Sequence, residues 1–378
     1  MKKLEDIEVN DKKVILRCDF NVTITDGAIR SDEKIISSLK TINYLIDKNC
    51  KIIIMSHLGK IKTEEDKNNN SLKIVYERLN ELLGGNVLFS ENTKGPVLES
   101  MINNLTPGGV LLMENTRFED LDGKKESSND EELSKYWASL GDVFINDAFG
   151  MTHRRHASNS GIAKHLPNAV GFLIQKEIEG LELVINPTKP FVVIMGGAKV
   201  GDKIDLINKI LQKCDYLLLG GGIANTFLSI NNNVGKSLVS EDSIEEVKKL
   251  LNEYPDKIIM PTDVVTEEGI KELDEIENHH SIYDLGEYTL LEYQEYIDKA
   301  STIFINGTVG LYEDENYANG TRRILQLCVN SDSKVVLGGG DALASAEFFN
   351  ITDYDHISTG GGATLDYIGS GKLNCMEE

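Results

Sequence analysis

Two histidines and two arginines fall in four consecutive positions, His153-Arg154-Arg155-His156, in a chain where Asp and Glu outnumber Lys and Arg by 61 to 39. Imidazole and guanidinium groups in such a group bind carboxylate or phosphate through charge-assisted hydrogen bonds. Alone, the stretch THRRHAS reads as a charged surface turn. Similar residue types recur just after other apolar runs, as Arg17, Asp19 and Asn21, as His57 and Lys60, and as Arg117. Four strand ends delivering cations and hydrogen-bonding groups to one edge point to a pocket for a small acid anion.

The second half of the chain ends its apolar runs in glycine: Gly196-Gly197, Gly220-Gly221-Gly222 and Gly338-Gly339-Gly340-Asp341, each followed by helix-forming sequence. Glycine at a strand-to-helix turn lets backbone N–H groups and the positive helix end approach a phosphate. Lys199 and Lys203, spaced as one helical turn, would sit where the helix dipole disfavours cations unless an anion meets them. Asp341 opens another such helix, as an N-cap or as a ligand of nucleotide-bound Mg²⁺. VGKS at 234–237 lacks the glycine that a Walker A loop needs at Ile230, and no GxGxxG follows a strand. An acid pocket in one half and a polyphosphate pocket in the other suggest phosphoryl transfer between domains that close, with catalysis by positioning and by cations.

The formal charge of −22 argues against a nucleic-acid footprint or a polybasic membrane surface. Local cations still bind an anion, because charges are screened beyond about 8 Å at physiological salt. No apolar run approaches the roughly 20 residues that cross a bilayer, and a cytoplasmic protein is expected. The five cysteines are scattered without a CxxC pair and read as buried thiols.

The elements that must position these residues follow from periodicity. Short Ile/Val/Leu runs at 13–20, 51–57, 109–115 and 142–149 alternate with amphipathic segments such as 38–48 and 71–83, and the theme repeats at 190–199, 214–222, 301–310, 333–341 and 356–362. The pattern predicts an α/β protein of two doubly wound parallel-sheet, Rossmann-like domains. The expected division is 1–172, a joining helix over 173–186, and 187–359. The polar stretches 62–71 and 119–132 read as solvated loops.

RCDFNV, SHLGK, ENTRF, NDAFGMTHRRH, GGAKVGDKI, LLLGGGIANTF, INGTVGLYE, GGGDA and HISTGGGATL, in this order over nearly the whole length, resemble the phosphoglycerate kinase family. The resemblance implies reversible transfer of the acyl phosphate of 1,3-bisphosphoglycerate to MgADP, giving 3-phosphoglycerate and MgATP. It also implies a glycolytic, hinge-bending monomer whose tail, 360–378, returns to the N-terminal domain. By the same resemblance Asp19, Phe20, Asn21, Lys34, His57, Leu58, Gly59, Lys60, Arg117, His153, Arg154 and His156 form the 3-phosphoglycerate pocket. Gly196, Gly197, Lys199, Lys203, Gly220, Gly221, Gly286, Asn306, Glu313, Gly338, Gly339, Gly340, Asp341 and Ala342 hold the nucleotide. Asp341 binds Mg²⁺, and Lys34, Lys199 and Lys203 act in catalysis.

The chain departs from the family pattern at several positions. Lys34 and Lys60 stand where the family has arginine, which keeps the charge and loses the planar fork. Thr23, Ile305, Thr308, Glu287 and Ala342 also differ, and Arg30 would lie one turn before Lys34 if that segment is helical. The lysines leave a second reading, a paralogue that binds nucleotide or triose acid without turnover, and a kinase for a related small carboxylic acid would use the same frame.

Overall fold

In the computed structural model, which describes residues 1–375, the apolar runs do form parallel strands. One sheet has six strands in the spatial order Val87–Ser90, Val110–Met113, Lys51–Met55, Lys13–Arg17, Val143–Asn146 and Asn168–Val170. All five pairings are parallel. Val14, Ile15, Leu16 and Ile52 to Met55 are fully buried, as strands covered on both faces require.

The second sheet runs Ile258–Ile259, Tyr216–Leu219, Phe191–Met195, Thr302–Asn306, Lys334–Gly338 and His356–Ser358, again with every neighbour parallel. Numbered along the chain its order is 3-2-1-4-5-6, with the reversal between Phe191–Met195 and Thr302–Asn306. Ligands in such sheets bind beyond the carboxyl ends at that reversal.

Two compact units result, Met1–Ile178 joined by the chain from Lys372, and Glu179–Gly371. The division falls inside the helix Phe172–Ile185. The helix Gly362–Ser370 belongs to the second unit, so the tail rejoins the first unit later than residue 360. Its last residues, 376–378, lie outside the described residues. All five cysteines are free and buried. Among the described residues no helix is long and apolar enough to cross a membrane.

The two polar stretches are more than solvated loops. In the first, Glu64–Asn69 is a helix opened by a capping box, in which Thr63 Oγ1 accepts from Asp66 N and Asp66 accepts from Thr63 N at 2.8 Å. In the second, Glu119 and Glu126 are buried, Glu126 completely. An antiparallel sheet of Gly269–Glu272, Asp263–Thr266 and Ile282–Leu285 was also not expected.

Three helices are held at their N-termini by buried aspartates from neighbouring strands or strand ends. Asp147 accepts from Leu173 N at 2.9 Å, Asp263 from Thr289 N at 2.7 Å, and Asp284 from Gly320 N at 2.7 Å. Each carboxylate meets orphan N–H groups and the positive helix end. Glycine makes the approach close: a β-carbon on Gly171, Gly286 or Gly320 would overlap the respective carboxylate.

Burial raises the Asp284 carboxyl to about 7, partly offset by the bonds from Gly320 and Leu285. The folded protein therefore holds this proton where the unfolded chain, titrating near 4, has lost it. The stability this contributes is present below about pH 4 and is lost as pH rises through about 7. Asp284→Asn is expected to raise stability at pH 8 by on the order of 2–4 kcal/mol and to lose that advantage towards pH 5. Urea midpoints at the two pH values check this, and a gap that does not shrink on acidification would count against it.

Candidate active site

The first unit gathers cations at the carboxyl ends of its central strands. His57 follows Lys51–Met55, Arg117 follows Val110–Met113, and His153 to His156 follow Val143–Asn146. Asp19, Phe20 and Asn21 follow Lys13–Arg17, and Lys34 lies in the first turn of the helix Glu33–Asp47. Lys34 Nζ is 3.2 Å from Asp19 Oδ2. Asn21 Oδ1 accepts from Gly59 N at 2.9 Å, which ties two strand ends together. Gly59 has φ +60, and Leu58 is buried beside it. Phe20 is fully buried and donates its N–H to Ser56 Oγ, so it anchors the loop rather than facing outward.

His57 and His156 are held neutral. Burial, then Arg17, Arg117, Lys34 and His156, push the His57 imidazole well below its ordinary value. Burial, then Arg117, Arg17, Arg154 and His153, push His156 down to about 3. Arg117 is 8% exposed, and its Nε is buried without a hydrogen-bond partner. A buried donor left unmatched is costly, and an anion resolves it. Arg154 is exposed and donates from Nε to His153 Nε2 at 3.0 Å; Lys60 is exposed.

Arg17 corrects the sequence reading. It is fully buried and spends its donors on Ser158 Oγ, Cys18 O and His57 Nδ1. Arg30 is also corrected: it precedes the helix, is exposed, and donates its backbone N–H to Thr23 O.

The second unit carries a cavity of ≈ 500 Å³ lined by Gly197, Gly221, Glu313 and Asp341 among others. The glycines at 196, 197, 220 and 221, of which Gly197 and Gly221 line this cavity, do not offer free N–H groups to phosphate as expected. Gly196 N donates to Asn306 O, Gly197 N to Thr308 O, Gly220 N to Met195 O and Gly221 N to Val309 O. Their use is close packing: β-carbons on Gly196 and Gly220 would strike Thr308 and Val309. Gly197 and Gly221, which line the cavity, leave that part of its wall without side chains, which suits a flat ring.

Gly339 (φ +96) caps the helix Gly340–Phe348, after Gly338 closes its strand, and open space surrounds Gly340. Asp341 is therefore in the first turn and exposed, not the N-cap. Ala342 is buried behind it. Asn306 reaches across to Gly338 O at 2.8 Å, with its Oδ1 buried and unpartnered.

Comparison with known proteins decides the family. The phosphoglycerate kinase family model matches residues 4–372. A phosphoglycerate kinase of Fusobacterium nucleatum is 48% identical, covering 99% of this chain and 98% of that protein, and one of Listeria welshimeri is 46% identical over 98% and 97%. The chain belongs to the phosphoglycerate kinase family. The solved phosphoglycerate kinase of Coxiella burnetii superposes with TM-score 0.90 at 33% identity, covering 99% of this chain and 97% of that one. That of Pyrococcus horikoshii OT3 gives 0.85 at 32%, covering 100% and 98%. The chain is thus a phosphotransferase of two parallel-sheet units, and none of these findings favours a binding module without turnover.

Within this phosphoglycerate kinase frame some expected residues stand apart. Lys199 and Lys203 do not share a helix face, because Gly201–Lys203 is a 3₁₀ turn ahead of the helix Ile204–Leu211. Lys203 Nζ bonds Gly196 O at 2.8 Å while Lys199 is exposed. Gly286 is not among the residues lining the cavity; it makes room for Asp263 at the start of Glu287–Lys299. Lys236, Ser237 and Tyr312 do line it and were missed. Lys236 and Ser237 belong to the GKS run, whose only sequence signal is the Walker A motif that it fails to complete.

Glu268, His279 and His280 cluster outside this cavity with ligand-type atoms within 4.8 Å of one another. His280 Nδ1 accepts from Glu277 N at 2.9 Å, which leaves its proton on Nε2, facing Glu268 at 3.1 Å. The trio is a hydrogen-bonded clasp, since a metal ligand needs a lone pair on that nitrogen.

Proposed function

We propose that the basic cluster of the first unit binds 3-phosphoglycerate or the acyl end of 1,3-bisphosphoglycerate, and that the glycine-floored cavity binds ADP or ATP. What carries the acid assignment is Arg117, a buried guanidinium with an orphan Nε beside two neutral histidines. A permanently charged fork and imidazole N–H groups together suit an anion with carboxylate and phosphate oxygens. Arg154 and Lys60, being exposed, add charge at the rim.

On the nucleotide side, Gly197 and Gly221 supply flat surface for the base and Glu313 a carboxylate for ribose hydroxyls. The start of Gly340–Phe348 faces phosphate with backbone N–H groups. Asp341 fits a hard cation, being an exposed carboxylate at that helix start. It would hold the Mg²⁺ of the nucleotide substrate, which supplies neutralisation of phosphate charge. Lys199, Lys203 and Lys34 are the cations proposed to meet the transferring group. We also propose the cytoplasm as the site of action and a monomer as the working form.

A coupled assay with 3-phosphoglycerate and MgATP, following acyl phosphate, tests the whole reading. Folded protein that binds nucleotide yet shows no turnover would refute it. Arg154→Ala separates the two pockets. It is expected to weaken 3-phosphoglycerate about tenfold and to leave ADP affinity within about twofold, because the lost charge-assisted bonds act in one pocket only. Equal losses for both ligands would contradict the assignment.

A further inference from the structure

Behind His57 lies a buried chain whose members have no role in the reading above. Arg17 Nε donates to Ser158 Oγ at 2.9 Å, and an Arg17 terminal nitrogen lies 3.2 Å from His57 Nδ1. Ser158 Oγ is 2.5 Å from Glu126 Oε1, and Ser158 N donates to Glu126 Oε2 at 2.9 Å. Arg17, Ser158 and Glu126 are all 0% exposed. Glu126 comes from the stretch that composition alone marks as a solvated loop.

The polarity of this chain is fixed at both ends. A guanidinium only donates, and at the other end Glu126 accepts from Ser158 N and Ser158 Oγ, with burial raising this carboxyl against the charge of Arg17 and those two bonds. Ser158 Oγ therefore accepts from Arg17 and gives its single proton to Glu126. His57 Nδ1, facing a donor, must be the lone-pair nitrogen, which leaves the ring proton on Nε2. No described residue bonds that Nε2.

We propose that Glu126, acting through Ser158 and Arg17, is a positioning residue that holds His57 as the Nε2–H tautomer, so that a neutral imidazole donates a hydrogen bond to the bound acid. The purpose of the relay rests on the reading of the cluster as the acid site. A neutral ring has one proton, and the opposite tautomer would present a lone pair to an anion. Burial and the charges of Arg17, Arg117, Lys34 and His156 keep the ring uncharged, so its tautomer decides whether it attracts or repels the ligand. Glu126 is also the counter-charge felt most strongly by Arg17, and its Oε1 lies 3.7 Å from His156 Nδ1. One carboxylate thus stands behind both substrate-facing histidines.

The test uses the full chain with ¹⁵N-labelled histidine. Long-range ¹H–¹⁵N spectra at neutral pH are expected to show His57 uncharged and protonated on Nε2. A ring protonated on Nδ1, or on both nitrogens, would overturn the proposal without any variant. Glu126→Gln should turn the His57 signal into a tautomer mixture. It should also raise KM for 3-phosphoglycerate about tenfold, with kcat within about threefold and nucleotide KM within about twofold. Ser158→Ala breaks the same relay by a smaller change and is expected to act in the same direction, which keeps the test in force should Glu126→Gln not fold. An unmoved tautomer and unmoved acid KM in the folded variants would refute the relay. A tautomer that shifts while acid KM stays constant would sustain the relay and overturn the acid-site reading beneath it.

Discussion

Lys34→Ala is expected to lower kcat by about 10²-fold or more, with smaller changes in KM for either substrate, on the scale of losing one transition-state donor. The structure places this ammonium unfavourably for a folded protein at rest. It lies in the first turn of Glu33–Asp47, where the helix dipole opposes a cation, and it is close enough to His57 to disfavour a second positive charge there. Asp19, at 3.2 Å, is its one ion-pair partner in the described residues, and the Lys34 side chain is 39% exposed. A cation held in such a place, half-tethered, is suited to an anion that gains charge density during reaction. Lys34→Arg is expected to keep or raise kcat, because the guanidinium offers two parallel donors to phosphate. Steady-state kinetics on both variants check this; near-full kcat in Lys34→Ala would remove the residue from the mechanism. Arg30 offers no substitute, since it lies before the helix on an exposed turn.

What the sequence made legible follows from how local each signal is. Lys51–Met55 and Phe191–Met195 are runs of Ile, Val and Met buried on both faces, and a continuous apolar run announces itself in any window. Val87–Ser90 does not, because Leu88 is 48% exposed at the edge of its sheet. Gly269–Glu272 is mostly exposed and charged, and only pairing with Asp263–Thr266 makes it a strand.

The site divides in the same way. His57, Arg117 and His156 were legible as candidates because each follows a parallel strand, where ligands collect whatever the chain between them does. Glu126 was missed because its burial depends on Ser158 and Arg17, far away in sequence, while its neighbours are Lys, Ser and Asn. Composition sees the neighbours alone. The N–H groups of Gly196, Gly197, Gly220 and Gly221 are taken up within the fold, and residue type cannot tell an open N–H from one already bonded to Thr308 or Val309. Lys199 and Lys203 were read at helical spacing, and a 3₁₀ turn removes that geometry.

Arg117→Met is expected to weaken 3-phosphoglycerate binding by about 10²-fold while leaving the ligand-free protein as stable as before or more stable by about 1–2 kcal/mol. The two halves of this expectation come from the same atom. Arg117 Nε is buried without a hydrogen-bond partner, so the ligand-free protein bears the desolvation of a charged donor that the nearby carboxylates Asp120 and Glu126 offset only in part. Burial is the main influence lowering its pKa, with Arg154 adding to it and Asp120 and Glu126 opposing it. Methionine fills similar space without a charge and removes that cost. The ligand loses a buried charge-assisted contact, which is large when one partner is truncated. Arg17 supplies the contrast inside the same cluster: its donors are met by Ser158, Cys18 and His57, and Glu126 balances its charge. Arg17→Met strands Glu126 in the core and should cost about 3–5 kcal/mol of stability. Calorimetric titration with 3-phosphoglycerate and urea unfolding of the two variants measure both quantities. If Arg117→Met instead destabilises as Arg17→Met does and still binds the acid, then Arg117 is a packing residue and the anion site lies elsewhere.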